Sequence, residues 1–101
     1  MEKFTGIWPA LVTPLTDGGS INAEATERLV ENLIAAGIGG LYICGSTGEG
    51  VLLSPEARRE MAELVTGLVN GRVPVMVHVG AIDTATAVAL AQHASSAGAD
   101  A

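Results

Sequence analysis

Apolar positions along this chain follow two rhythms. Three short stretches are apolar almost without interruption: GIWPALV at 6–12, LYIC at 41–44 and VPVMVHV at 73–79. Between them, apolar residues recur every three or four positions, first as Leu29, Val30, Leu33 and Ile34, then as Ala57, Met61, Leu64, Val65 and Leu68. Short unbroken runs suit strands buried on both faces, and the wider spacing suits helices with one apolar side. Punctuation supports this division. The first run stops at Thr13-Pro14 and the turn-rich Thr16-Asp17-Gly18-Gly19-Ser20. Asn22 is placed to cap a helix with Glu24 and Glu27 near its first turn, and Gly37 closes it. Ser54-Pro55-Glu56 opens a second helix, and Asp83 or Thr84 a third, from Ala85 to about Ala97, which Gly98 terminates.

The order strand–helix repeats three times in units of about 33 residues, which predicts an α/β protein built of parallel β/α units. AAGIGGL at 35–41 is echoed by SAGADA at 96–101, so Ala99, Asp100 and Ala101 read as the approach to a fourth strand. The expectation is that residues 1–101 form the first three β/α units of a larger protein, truncated where strand 4 starts.

The segment CGSTGEG at 44–50 stands where the second apolar run ends. In parallel β/α proteins ligands lie at the carboxyl ends of the strands. Ser46 and Thr47 bring two hydroxyls, and the glycines on either side leave backbone N–H groups unshielded, so a carboxylate or phosphate can be held without a basic side chain. The plainer alternative is a tight strand-to-helix connection whose hydroxyls satisfy only local backbone groups. A mononucleotide loop fits less well, because no Gly-Lys-Ser/Thr follows and the spacing misses the dinucleotide fingerprint.

Composition narrows the function classes. Five basic against eleven acidic residues give a net charge of -6, the opposite of a nucleic-acid-binding surface. Cys44 is the only cysteine and His78 and His93 fall on different elements, so neither a disulfide nor a metal-ligand spacing is visible. No apolar run reaches the roughly 18 residues of a membrane span, and MEKFTG does not read as a signal peptide, so a cytoplasmic location is expected. A hydrophobic content of 49% is high for a body this small and implies surface meant for covering. His78 near the end of the third run and His93 in the third helix read first as packed or surface residues, and Cys44 as a small hydrophobe. Arg58 and Arg59 are expected to add little to their helix and to serve subunit contacts.

GLYICGSTGEGVLLS, with GIWPALVTPL before it and VPVMVHVGAIDT after it, resembles the N-terminal third of the N-acetylneuraminate lyase and dihydrodipicolinate synthase family. The resemblance implies the N-terminal part of a TIM (β/α)8 barrel about two to three times this length. It implies condensation or cleavage of 2-oxo acids, usually pyruvate with an aldehyde partner, through a lysine Schiff base, with no metal or organic cofactor and a homotetramer as the complete protein. Carried to this chain, it implies that Ser46 and Thr47 hold the carboxylate of the 2-oxo acid and that Ser46 joins a hydroxyl relay with a tyrosine. Ala10 lines the pocket floor, while Gly45, Gly48 and Glu49 shape the turn, Glu49 because a charge facing a bound carboxylate would repel it. The HVG at 78–80 is closer to lyase-type members. The lysine and the relay tyrosine belong to later strands. Lys3 is the only lysine here and Tyr42 does not match the relay motif, so the 101 residues alone are expected to be inert. The competing reading is a non-catalytic partial barrel that binds a small anion or self-associates through an uncapped sheet edge.

Overall fold

The computed structural model describes residues 2–101. After a single 3-10 turn at Glu2–Phe4, the chain forms helix α1 (Ala23–Ala35), strand β1 (Leu41–Ile43), a 3-10 turn at Gly50–Leu52, helix α2 (Pro55–Val69), strand β2 (Val75–Val77) and helix α3 (Thr84–Ala97). Local caps set each helix start. Asn22 accepts from the Ala25 N–H at 2.9 Å, Ser54 from Ala57 at 3.1 Å, and Asp83 from Thr86 at 2.8 Å. Asn70 and Gly98, both with positive φ, end α2 and α3.

β1 and β2 pair in parallel, Leu41 with Val75 and Ile43 with Val77. The expected first strand at 6–12 is not regular: it meets β1 through one parallel bridge, Ala10 to Tyr42. There the Tyr42 N–H donates to Pro9 O at 3.1 Å and the Leu11 N–H to Tyr42 O at 2.8 Å. The next rung toward the amino terminus would need a donor at Pro9, which has none, so the ladder breaks after one step. The third run is also shorter than its apolar length, with three residues of 73–79 in regular pairing. Beyond β2, the Val77 N–H donates to Ala101 O at 2.9 Å and the Ala101 N–H to Val75 O at 3.3 Å, the arrangement of a parallel rung. Residues 99–101 thus lie against β2 through these hydrogen bonds, without forming a regular strand.

The core lies between the sheet and the helices α1 and α2. Leu41, Ile43, Val30, Met61 and Val65 are fully enclosed there. Tyr42 and Met76, pointing to the opposite face, are half-buried. The buried side of α2 is Arg58, Met61, Ala62, Val65 and Val69, rotated from the expected stripe, in which Ala57, Leu64 and Leu68 are only partly covered. Arg58 is thus an interior residue rather than one available for subunit contacts. Ile7, Val51, Leu52 and Ile82 stand exposed. No helix among the described residues is long and apolar enough to cross a membrane.

Candidate functional site

The loop after β1 is shaped by an abrupt departure from the sheet. The last rung is the His78 N–H donating to Ile43 O at 3.0 Å, and Cys44 then turns to φ 60. Inside the loop the Gly50 N–H donates to Gly45 O and the Glu49 N–H to Ser46 O, each at 3.0 Å. Glu49 also has a left-handed backbone, φ 57, which disfavours a side-chain-bearing residue by roughly 1 kcal/mol. Two glycines are required by close approach. A Cβ on Gly48 would lie 2.9 Å from Leu11 O, and one on Gly50 would overlap Cys44 O. The loop is pinned from outside by Thr13, whose Oγ1 donates to Gly48 O at 2.7 Å.

This frame leaves a set of donors free. The N–H groups of Gly45, Ser46, Thr47 and Gly48 meet no acceptor among the described residues, and neither the Ser46 nor the Thr47 hydroxyl forms a hydrogen bond there. Ser46 and Thr47 are exposed, while Gly45, Gly48 and Gly50 are buried beneath them. Four successive amides and two hydroxyls at a strand's carboxyl end suit an oxyanion. They are not absorbed in tying down their own turn, as the plainer alternative required.

The other expected site residues fall as follows. Ala10 is exposed on the segment whose next residues, Leu11 and Thr13, meet Gly48. The Glu49 carboxylate is exposed and makes no hydrogen bond among the described residues; the residue's backbone carries its part in the turn. Cys44 is 1% exposed, and burial pushes its thiol pKa up, an effect the nearby Arg58 charge partly offsets. It stays a neutral thiol near pH 7. Tyr42 sits mid-strand with its ring against Gly45 and 6.1 Å from the His78 ring, whose buried Nδ1 has no partner among the described residues. His93 bonds Glu63 at 3.1 Å on the α2–α3 seam, away from the loop. Beyond the 3-10 turn, Val51, Leu53, Arg58, His78, Ile82 and Thr86 line an open hollow of about 510 Å³.

Lys3 lies at the other end of the sheet. Its Nζ pairs with Asp100 Oδ1 at 2.6 Å, and Asp100 Oδ2 accepts the Val75 N–H at 2.9 Å. The Lys3 hydrogen bond, with help from Val75, holds the Asp100 carboxyl below the usual aspartate range.

Thr13 and Arg58 were not legible as site residues. Arg58 donates through Nη2 to His78 O and through Nη1 to Gly80 O, both at 2.7 Å, so it fastens the end of β2 beside the loop. Thr13 read only as a stop before Pro14; its bond to Gly48 crosses 35 residues, and no local pattern announces it.

The parallel pairing of β1 and β2, with helices between the strands, is that of an α/β protein of parallel β/α units, and its likeness to solved structures of this fold makes it the N-terminal part of a TIM (β/α)8 barrel. The model of the Dihydrodipicolinate synthetase family matches residues 3–101, and the chain belongs to that family. It is 41% identical over 98 residues to a 4-hydroxy-tetrahydrodipicolinate synthase of Methanothrix thermoacetophila, covering 97% of this chain and 32% of that protein. It is 38% identical over 96 residues to an N-acetylneuraminate lyase of Rhizobium meliloti, covering 95% of this chain and 32% of the relative. The crystal structure of Escherichia coli K12 YagE, a prophage protein of the dihydrodipicolinic acid synthase family in complex with pyruvate, superposes with a TM-score of 0.94 at 39% identity, over 96% of this chain and 33% of that one. The chain spans about a third of the length of the curated relatives it matches.

Proposed function

We propose that this chain supplies the carboxylate-binding end of a pyruvate-dependent carbon–carbon lyase or aldolase of the dihydrodipicolinate synthase and N-acetylneuraminate lyase type. The observation that carries this reading is the row of unengaged donors, the amides of 45–48 with the Ser46 and Thr47 hydroxyls, at the carboxyl end of β1. It is supported by the family of the chain and by pyruvate bound in the similar YagE.

On this reading Ser46, Thr47 and the loop amides hold the pyruvate carboxylate and fix the ketone carbon in space. A lysine on a later strand of the barrel, desolvated so that its amine is neutral, adds to that carbon with loss of water. Removal of a methyl proton then gives the enamine that attacks an aldehyde, and the reverse sequence cleaves the bond. Ser46 passes protons with a tyrosine from another part of the barrel, and Ala10, with one methyl group, leaves room on the pocket floor. Lys3 takes no part, since it is paired with Asp100 at the opposite end of the sheet. The reading extends to a cytoplasmic homotetramer that needs no metal or organic cofactor.

Borohydride reduction in the presence of pyruvate tests it. The complete protein is expected to gain one covalent pyruvate adduct, on a lysine outside residues 1–101, and none at Lys3. Absence of any adduct would overturn the proposal.

A further inference from the structure

Arg58 is 5% exposed, yet it has no carboxylate partner among the described residues. Its fork reaches the carbonyls of His78 and Gly80, and its Nε is buried without a partner. A buried guanidinium without a counter-ion is unfavourable, and an apolar residue of the same volume would suit this helix position better on stability alone. The sheet register points to its use. The β1–β2 pattern pairs the Leu41 N–H with Pro74 O and the His78 N–H with Ile43 O. The next rung would pair the Gly45 N–H with His78 O. That rung is absent, and His78 O accepts Arg58 Nη2 instead. One residue earlier, Cys44 has turned out of the sheet, and its thiol lies within electrostatic reach of the guanidinium.

We propose that Arg58 is a positioning residue for the carboxylate loop: by occupying the His78 and Gly80 carbonyls it keeps the Gly45 amide out of the sheet and available to substrate, and it sets a positive charge behind a cradle that lacks a basic side chain. The inference rests on the function proposed above. A carboxylate bound by the loop meets a fixed cation through buried glycine backbone, where screening by water is weaker than at the surface.

Two variants of the complete protein test it. Arg58→Met preserves volume and removes both charge and donors, so the fold is retained. It is expected to raise the pyruvate concentration for half-maximal borohydride trapping about tenfold, with the saturating rate changed less than about twofold. Arg58→Lys, which keeps the charge without the fork, is expected to fall between the two. Equal pyruvate dependence in all three proteins would overturn the inference, and so would a lower saturating rate with no shift in pyruvate dependence. Hydrogen exchange at the Gly45 amide gives a readout that needs no pyruvate. It is expected to slow in Arg58→Met as the freed His78 carbonyl takes that N–H; equal exchange in both proteins would overturn the release of Gly45. A wild-type protein that forms no adduct would remove the proposed function, while the exchange measurement would still decide the part played by Arg58.

Discussion

At the amino-terminal end of β2, Asp100 accepts both the Val75 N–H and the Lys3 ammonium, so that these three groups satisfy one another. At the carboxyl end of β1, two residues with side chains hold left-handed backbone conformations, and four amides and two hydroxyls find no partner among the described residues. The two ends are three strand residues apart and belong to the same sheet. The difference teaches where each kind of contribution sits: one end closes its hydrogen bonds and adds stability, and the other keeps donors open and strain stored, as the proposed carboxylate site requires.

Substitutions at the two ends should separate accordingly. The largest effect is expected from Gly48→Ala, whose new Cβ meets the Leu11 backbone at 2.9 Å and pushes the loop from its place. Pyruvate-dependent turnover in the complete protein should fall about 100-fold, measured by steady-state kinetics, because a displacement near 1 Å is enough to misplace a reacting group. A smaller and different effect is expected from Asp100→Ala. It leaves the enclosed Val75 N–H without its side-chain acceptor and should lower stability by about 1–2 kcal/mol in urea unfolding, with the pyruvate dependence unchanged. Loss of activity there would dissolve the contrast between the ends. The smallest effect is pH dependence at the closed end. Because the folded pKa of Asp100 lies below its unfolded value, its contribution is complete above about pH 4 and fades as pH falls further through the folded value. Wild-type stability should therefore drop more steeply below pH 4 than that of Asp100→Ala, measured by unfolding across pH.

The same contrast separates what could be read in the sequence from what could not. Helix starts at Asn22, Ser54 and Asp83 were legible because a cap bonds three residues ahead, within its own segment. The regularity of the first strand was overestimated: Pro9 was counted as an apolar residue, while its missing N–H decides how far the ladder runs. The loop's composition announced a glycine-shaped turn with exposed hydroxyls, but what holds it open did not show, since Thr13 and Arg58 act across 35 and 20 residues. Arg58 was also masked by its type, because a helix-opening arginine ordinarily reads as solvated surface.

The proposed function requires that the unengaged donors of the loop hold a 2-oxo-acid carboxylate. Its most direct measurement is the pyruvate concentration for half-maximal borohydride trapping in wild-type complete protein and in Thr47→Val, which removes one hydroxyl and keeps the shape. A rise of about tenfold is expected, from the loss of one hydrogen bond to a charged group. An unchanged concentration dependence would contradict it.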